Sequence, residues 1–391
     1  MQASSSGSPS SAPSAARRNS LLIVSYNFPP QLGGIEQVCV QLARALHRAG
    51  IEVHVVAKDQ PAASKFDADE PYTIHRYRGA DLGLSRVLSG LLRQGYQRVL
   101  CMQWTSAIWL AGLRSLVGSP QVLAVLVHGK ELYPSPRSPF PAAWQRAALL
   151  RVLSAASHLL PNSAFTAELL GQCASHPNVQ RLTFGVEASR FVAPDRAATQ
   201  HWRRGRPGPF VSTLGRLVPR KGVDTLLRAL PLLSARHPSV QCLVAGDGPD
   251  ASRLVRLAAE LGVSAHVEFV GRVPEERLNA LYAASDVFAL LSRVEQGGND
   301  VEGFGLVLLE AQAAGCPVIT TREGGMRDAI VPDVTGLLVD ARDPAEFAAH
   351  AGALLADAER LRAMSLAAQA HAKTQTWDAT ARQLLAAIAE A

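Results

Sequence analysis

The sequence predicts an α/β protein built from two Rossmann-like, doubly wound parallel-sheet domains that face a central cleft. Three observations support this fold class. Short apolar runs alternate with longer segments of helical periodicity, the alternation stops once and restarts, and 391 residues, 48% of them hydrophobic, suffice for two cores. Ligands of open parallel sheets bind beyond the carboxyl ends of the strands, so both sets of strand ends should face the cleft.

Five apolar runs predict the strands of a first domain, residues 21–205. They are rich in aliphatic residues and end in polar or glycine-containing segments. In chain order they are LLIVSY (21–26), EVHVVA (52–57), RVLCMQ (98–103), VLAVLVHG (122–129) and HLLPNS (158–163). The preceding tract, residues 1–20, is rich in Ser, Ala and Pro, which predicts a disordered tail without the apolar centre of a signal peptide.

The polar segment ATQHWRRGRPGP (198–209) predicts a linker, after which the alternation restarts in a second domain, 206–376. Its five predicted strands are FVSTLGRL (210–217), QCLVAGDG (241–248), VEFVGRV (267–273), DVFALLS (286–292) and PVITT (317–321). The remaining segment, 377–391, predicts one more helix.

Charge and cysteine content limit the function classes. Residues 1–205 hold 21 Lys/Arg against 11 Asp/Glu, a net of +10, whereas the rest of the chain has a net of −4. A basic half suits anionic lipid or a phosphorylated acceptor, and no helix-turn-helix, zinc or aromatic RNA-binding pattern supports nucleic acid. Five cysteines without metal-site spacing indicate free thiols in a reducing cytosol, and no apolar run approaches the roughly 20 residues of a membrane span.

Glycines and cations follow the first predicted strand of each domain. Gly33 and Gly34 precede an amphipathic helix, where glycine lets backbone amides approach an anion, although a tight turn is the simpler interpretation of the pair. In GRLVPRKG, three cations, Arg216, Arg220 and Lys221, bracket the turn into the next helix. We expect Arg216 to be held by the buried strand it follows, so this turn predicts an anion site.

Two acids frame an otherwise apolar stretch, EGFGLVLLE. Glu302 is expected at the start of a helix whose first amides Gly303 and Gly305 leave uncovered, with Glu310 about 12 Å further along at 1.5 Å per residue. A carboxylate can accept two hydrogen bonds from a vicinal diol. One long ligand with a sugar, a diphosphate and a ribose would explain both acids, whereas the alternative is a helix-dipole acid plus a locally paired one.

The Asp-x-Asp string at Asp67 and Asp69 matches a pattern used to bind Mn²⁺, but it does not follow an apolar strand. We interpret it as a chance occurrence. Because Arg216 and Lys221 can neutralise a diphosphate, the sequence predicts neither a metal nor another cofactor.

In order and spacing, these motifs resemble the retaining glycosyltransferases of family 4, which have the GT-B fold. The resemblance runs from Leu21 onward and includes the Gly-Gly loop, HG (128–129), GRLVPRKG, GDGP, GRVP and the Glu-x7-Glu element from Glu302 to Glu310. The string GGNDVEGFGLVLLEAQAAGCPVI is similar to that of bacterial phosphatidylinositol-mannoside mannosyltransferases, which use GDP-mannose.

The resemblance implies roles for individual residues. Arg216 and Lys221 would bind the diphosphate, Glu310 the ribose, and Glu302 the transferred sugar together with the amides after Gly303. His128 would lie near the anomeric carbon. The full set of implied catalytic residues is His128, Arg216, Lys221 and Glu302. The donor-binding set is Gly33, Gly34, Arg216, Lys221, Gly271, Arg272, Val273, Glu302, Gly303, Phe304, Gly305, Leu306 and Glu310, of which the backbone at 271–273 would meet the base.

The implied activity is metal-independent, retaining transfer of a hexose from a nucleotide diphosphate sugar to a lipid-linked or glycan acceptor, in polysaccharide or glycolipid synthesis. Mannose from GDP-mannose is favoured over glucose or N-acetylglucosamine. The alternatives are a sugar-nucleotide epimerase of the same architecture and a non-catalytic sugar-binding protein. The resemblance also implies that helix 377–391 packs back on the first domain, with Trp377 as the pivot.

Two segments, 81–100 and 140–157, mix Arg with Leu and Trp at helical spacing. The simpler interpretation is that both segments are core helices whose arginines lie on the solvent-exposed face. Together with the basic first half, however, they predict a cytoplasmic enzyme attached peripherally to the inner face of an anionic membrane.

Overall fold

The computed structural model describes most of the chain after the N-terminal tract. The described residues are 19–30, 33–79, 81–117, 120–135, 138, 140–191, 196–295 and 301–389. The predicted disordered tail (1–20) lies almost wholly outside these residues, as do positions 297–300 of the quoted string.

Six parallel strands form the first sheet. They are β1 (Ser20–Ser25), β2 (Glu52–Lys58), β3 (Thr73–Tyr77), β4 (Arg98–Cys101), β5 (Val122–Val127) and β6 (His158–Pro161), in the order β3-β2-β1-β4-β5-β6. Every residue of β1 and of β5 is buried. Strands of this kind read as continuous apolar runs because helices cover both faces of the sheet.

The second sheet repeats this order. Its strands are β7 (Phe210–Leu214), β8 (Gln241–Ala245), β9 (Val267–Gly271), β10 (Val287–Leu290), β11 (Val318–Thr321) and β12 (Gly336–Val339), arranged β12-β11-β10-β7-β8-β9. The first strand of each sheet is central, and the chain winds first to one side and then to the other. This is the doubly wound topology that the alternation predicted, and the two-domain α/β fold is therefore confirmed.

Helices connect the strands. In the first half they are α1 (Gly34–Arg48), α2 (Ala63–Ala68), α3 (Asp81–Arg93), α4 (Trp104–Val117), α5 (Ala142–Ala155) and α6 (Ala164–Cys173). They continue as α7 (Arg196–Arg203), α8 (Val223–Arg236), α9 (Ala251–Glu260), α10 (Glu275–Ala284), α11 (Leu306–Ala313), α12 (Pro344–Ala356), α13 (Ala358–Thr374) and α14 (Trp377–Ala389). The core of the second sheet is mainly aliphatic, with Leu226, Leu230 and Val244 among its buried members, and it also includes Phe347.

Two strands and one helix differ from the expectations. β3 has only one buried residue, so it lacks the apolar run that identifies a central strand. β12 begins with a glycine and contributes only three apolar residues, one of them partly exposed. The segment expected as a linker contains α7. That helix is polar but buries Trp202, which packs against Phe210 and Leu281 in a small second cluster.

The chain divides into two compact units. The first comprises the described residues of Met1–Leu126, Arg151–Leu159 and Ile388–Ala391, and the second those of Val127–Leu150 and Leu160–Ala387. The predicted domain boundary at 205/206 falls inside the second unit. No described helix is both long enough and apolar enough to span a bilayer.

Candidate active site

The strand order places two site segments side by side. β7 pairs with β10 on one side and with β8 on the other, and the winding direction reverses between β7 and β10. The loop after β7 carries Arg216 to Lys221, and the segment after β10 leads to Glu302. Crevices at such reversal points are the usual ligand sites of doubly wound sheets.

Glu302 forms ion pairs with two cations from the neighbouring loop. Lys221 Nζ donates to Glu302 Oε2 at 2.6 Å, and Arg220 Nη1 donates to the same oxygen at 2.7 Å. The Glu302 side chain is only 16% exposed, so solvent screens these contacts weakly. Burial by itself raises the pKa of Glu302, but Lys221 and Arg220 outweigh it and lower this pKa from 4.5 to about 2.

The turn that carries these cations depends on one glycine. Residues Pro219–Lys221 form a 3-10 turn, and Gly222 follows in the left-handed region with φ 67°. A Cβ at Gly222 would overlap the carbonyl oxygen of Leu291, the residue that follows β10. The amide of Arg293 donates to the carbonyl of Arg220 at 2.8 Å, so the backbone of the turn is tied to the β10 side.

Arg216 differs from its expectation. It was predicted as part of the strand FVSTLGRL and expected to be held by it, but β7 ends two residues before Arg216, and this residue is exposed. Arg216 and Lys221 nevertheless line the same small pocket, together with Gly215 and Leu290. The aliphatic part of Lys221 passes close to Gly215, where a Cβ would lie 3.5 Å from Lys221 Cε.

Glu310 lies on α11 and has a buried partner from another helix. The hydroxyl of Tyr282, on α10, donates to Glu310 Oε2 at 2.8 Å. Burial raises the pKa of Glu310, and the Tyr282 hydrogen bond partly offsets this effect. The expected continuous helix from Glu302 is wrong because α11 begins at Leu306, after Gly305 with φ 82°, so a helical spacing of 12 Å does not apply.

Gly303 packs directly against the backbone of His128. A Cβ at Gly303 would overlap the His128 carbonyl oxygen and lie 2.8 Å from Asn162 Nδ2. The His128 amide donates to Glu131 Oε1 at 2.6 Å, which holds the turn after β5 from its other side. His128 and Glu302, predicted from segments far apart in sequence, are therefore brought to adjoining backbone positions.

An aromatic cluster adjoins these residues. The Phe184 ring lies 6.0 Å from the His128 ring, 5.4 Å from that of Phe304 and 5.9 Å from that of Trp377. Trp377 begins α14, and Gly185 packs so closely on its amide that a Cβ there would overlap it. The threonine hydroxyl of Thr380 donates to the carbonyl of Thr183 at 2.8 Å, which fixes α14 against the same segment.

The remaining predicted residues lie at strand ends or helix starts. Gly271 ends β9 with φ 67°, and its carbonyl accepts a hydrogen bond from the Gly246 amide at 2.7 Å. Arg272 is exposed and Val273 half-buried. In the first unit, Gly33 precedes α1 in extended conformation, and a Cβ there would overlap only the flexible Glu36 carboxylate, whereas a Cβ at Gly34 would meet nothing within 4 Å. Backbone strain therefore does not explain this Gly-Gly pair, and its ligand role stays a prediction.

Asp67 of the Asp-x-Asp string is paired with Arg76, whose Nη2 lies 2.6 Å from Asp67 Oδ1. A carboxylate engaged in this way fits the interpretation of the string as a chance occurrence. Within the described ranges, no group of three or more His, Cys, Asp or Glu side chains could hold a metal ion.

Two partners of the site acids are absent from the predicted residue set. Arg220 was noted in the sequence as a neighbouring cation, but nothing there showed that it contacts Glu302. Tyr282 precedes Glu310 by 28 residues and lies on another helix, so no local pattern links the two. Both contacts are products of helix and loop packing.

Comparison with known proteins gives matches over most of the chain. The family model for glycosyl transferases group 1 matches residues 198–371, and that for glycosyltransferase family 4 matches 32–190. A GDP-mannose-dependent alpha-(1-6)-phosphatidylinositol monomannoside mannosyltransferase of Mycolicibacterium smegmatis is 34% identical over 91% of this chain and 94% of its own length. A GDP-mannose-dependent monoacylated alpha-(1-6)-phosphatidylinositol monomannoside mannosyltransferase of Corynebacterium glutamicum is 31% identical over 95% and 97%, respectively.

Solved structures share the fold at lower identity. Anabaena HepE, in complex with UDP, has a TM-score of 0.79 at 18% identity and covers 95% of this chain and 100% of its own. The sucrose-phosphate synthase of Thermosynechococcus elongatus has a TM-score of 0.76 at 22% identity, with coverage of 93% and 97%.

Proposed function

This chain belongs to the group 1 and family 4 glycosyltransferases, and we propose that it transfers mannose from GDP-mannose to an inositol-containing glycolipid with retention of configuration. The observation that carries the donor and acceptor is the match, over 91–95% of the chain, to relatives named as GDP-mannose-dependent phosphatidylinositol monomannoside mannosyltransferases. Glucose and N-acetylglucosamine remain the alternative sugars.

The proposed roles follow from charge. Arg216 and Lys221 bind the diphosphate and stabilise the negative charge that grows on it as the glycosidic bond breaks. Positive groups placed where negative charge develops are among the strongest catalytic contributions, and loss of a single oxyanion-hole donor costs roughly 3–4 kcal/mol. Their presence in one pocket supports this assignment and supports a reaction that needs no metal.

The ion pairs of Glu302 support a mechanism without a protein nucleophile. A carboxylate whose pKa is lowered to about 2 by two cations is a poor nucleophile and a poor base. Glu302 is thus suited to accept hydrogen bonds from the sugar hydroxyls. In this proposal the acceptor attacks from the face that the diphosphate leaves, and the leaving phosphate takes the acceptor proton. Product NMR would establish the anomeric configuration, and inversion would contradict the proposal.

Glu310 is proposed to hold the ribose. Tyr282 occupies one position on Oε2, and the remaining lone pairs of the carboxylate can accept hydrogen bonds from a vicinal diol. The backbone at Gly271–Val273 is proposed to meet the base, and Gly33 and Gly34 the phosphates. His128 is proposed to lie near the anomeric carbon.

Peripheral membrane attachment is proposed through α5 and the residues before it. Trp144 is 70% exposed, Phe140 62% and Leu150 37%, and Arg146 is exposed on the same helix. Exposed aromatic and basic side chains on one helix suit the interface of an anionic bilayer. All five cysteines are free, which suits the cytoplasmic location proposed above.

Liposome flotation tests this attachment. We expect binding to vesicles that contain phosphatidylinositol or phosphatidylglycerol, weaker binding at high salt, and weaker binding of Trp144→Ala. Leu366→Ala, which removes another highly exposed side chain, is the matched control. Equal flotation of the two variants would contradict the assignment of this surface.

Donor screening tests the function itself. GDP-mannose should raise the melting temperature more than UDP-glucose or ADP-glucose, because at equal concentration the ligand that binds the folded state more tightly stabilises it more. Mannosylated lipid should form only when acceptor is added. Conversion of the nucleotide sugar without acceptor would indicate the epimerase, and binding without any turnover would indicate a sugar-binding protein.

A further inference from the structure

We propose that Arg220 is a positioning residue: it holds the Glu302 carboxylate so that the Lys221 ammonium is released to the donor diphosphate. This inference rests on the proposed function, because it assigns Lys221 to the diphosphate. The juxtaposition that carries it is the sharing of one oxygen, Glu302 Oε2, by Arg220 and Lys221 at 2.7 and 2.6 Å.

Glu302 and the donor diphosphate compete for Lys221, whose Nζ lies 2.6 Å from Glu302 Oε2. The three side chains are 16%, 20% and 13% exposed for Glu302, Arg220 and Lys221, so water replaces these contacts poorly. If Lys221 were the sole cation partner of Glu302, moving it to a phosphate would leave a buried carboxylate unpaired. Such an unpaired charge is strongly unfavourable. Arg220 removes this obstacle because it remains paired with Glu302 after Lys221 leaves.

The chemistry of the two cations suits this division. A guanidinium stays charged and forms directional hydrogen bonds to a carboxylate, whereas an ammonium is a compact charge with three donors that can turn toward a new acceptor. The Arg220 backbone is also fixed by the Arg293 amide and the 3-10 turn. Lys221 lines the pocket beside Arg216, whereas Arg220 is not among the residues that line it.

The net charge of the site is consistent with this transfer of Lys221 from Glu302 to the diphosphate. Arg216, Arg220 and Lys221 carry three positive charges against the one negative charge of Glu302, which leaves +2. The diphosphate of a nucleotide sugar is a dianion, so the site is neutral when it is occupied. Without Arg220, the charges of Arg216, Lys221 and Glu302 would sum to only +1.

The inference predicts non-additive effects on the affinity for GDP, a probe that lacks the sugar proposed to contact Glu302. Arg220→Gln should weaken GDP binding by roughly tenfold, since contacting charges couple by about 1.4 kcal/mol. Glu302→Gln should tighten it, because Lys221 is then free. In the double variant, Arg220→Gln should have little further effect relative to Glu302→Gln alone.

Isothermal titration with GDP on the full chain measures these affinities. Arg220→Lys, which keeps a cation beside Glu302, should restore most of the affinity. Arg228→Gln is the matched control, because it removes an exposed arginine from α8 outside the site. Melting curves establish that each variant is folded.

The results separate this role from the alternatives. Equal weakening by Arg220→Gln with Glu302 present or replaced would show that Arg220 binds the diphosphate itself, and would overturn the inference. Unchanged GDP affinity in Arg220→Gln would also overturn it. If Arg220→Gln does not fold, Glu302→Gln still tests the inference. GDP binding to Glu302→Gln that is no tighter than binding to the wild type would overturn it. A wild-type protein that binds none of GDP, UDP and ADP would instead refute the proposed function, and this inference with it.

Discussion

Glu302→Gln should destabilise the protein in a pH-dependent way. The substitution keeps the shape of the side chain but removes the charge that Lys221 and Arg220 neutralise. The fall in the pKa of Glu302 from 4.5 to about 2 corresponds to about 3 kcal/mol, because each pKa unit is worth about 1.36 kcal/mol. The 16% exposure of the side chain makes this an interaction of the folded interior rather than of the surface.

The sign of the pH dependence follows from the lowered pKa. Ionised Glu302 stabilises the folded state above pH 4.5, and this contribution is lost as pH falls from 4.5 through about 2. The wild type should therefore exceed Glu302→Gln by about 3 kcal/mol in free energy of unfolding at pH 7, and by roughly half of that at pH 3.

Urea unfolding, followed in parallel by tryptophan fluorescence and far-UV circular dichroism, measures this difference at both pH values. Glu260→Gln removes an exposed carboxylate at the end of α9 and should change the free energy of unfolding by less than about 0.5 kcal/mol. A Glu302→Gln difference that is small at pH 7, or that stays constant down to pH 3, would refute the assignment of the stabilisation to this charge cluster.

Three further predictions follow from the site. Tyr282→Phe removes the hydroxyl that donates to Glu310, so the pKa of Glu310 should rise further. The free energy of unfolding at pH 7 should fall by about 1.5–3 kcal/mol. Urea titrations should show this loss shrinking as acid protonates Glu310, and a pH-independent loss would argue against it. Gly303→Ala should strongly lower the melting temperature because its Cβ would overlap the His128 carbonyl. Gly34→Ala should not, because the space around its Cβ is open. Similar melting temperatures for the two variants would contradict the described packing. EDTA should not change the rate of sugar transfer, measured by chromatography of the product. Loss of activity in EDTA that Mn²⁺ restores would rule out the metal-independent reaction.

The sequence gives a good account of the fold because buried parallel strands carry their own signature. β1 and β5 are buried along their whole length, so their apolar runs are visible without any knowledge of their neighbours. β3 and β12 lie at the edges of their sheets, where partial exposure weakens that signature. The polar composition of α7 similarly hides a helix that packs mainly through Trp202.

For the candidate site, the sequence supplied positions and residue types, and packing supplied the partners. Its motifs identified the turn with Lys221, the acid Glu302 and the acid Glu310. They misjudged the setting of Arg216, which extends beyond its strand into solvent. They also placed Glu302 at the start of a helix, whereas that helix begins at Leu306, after Gly305 in the left-handed region.

The sequence by itself determined the doubly wound α/β architecture and the family, because both are recorded in local periodicity and in short motifs at strand ends. Tertiary structure decided which charges meet. The Glu302 contacts with Arg220 and Lys221 join residues 82 and 81 positions apart, and the Tyr282–Glu310 contact joins two different helices. A pKa depends on burial and on charges within a few ångströms, and neither quantity exists until the strands are paired and the loops between them are packed.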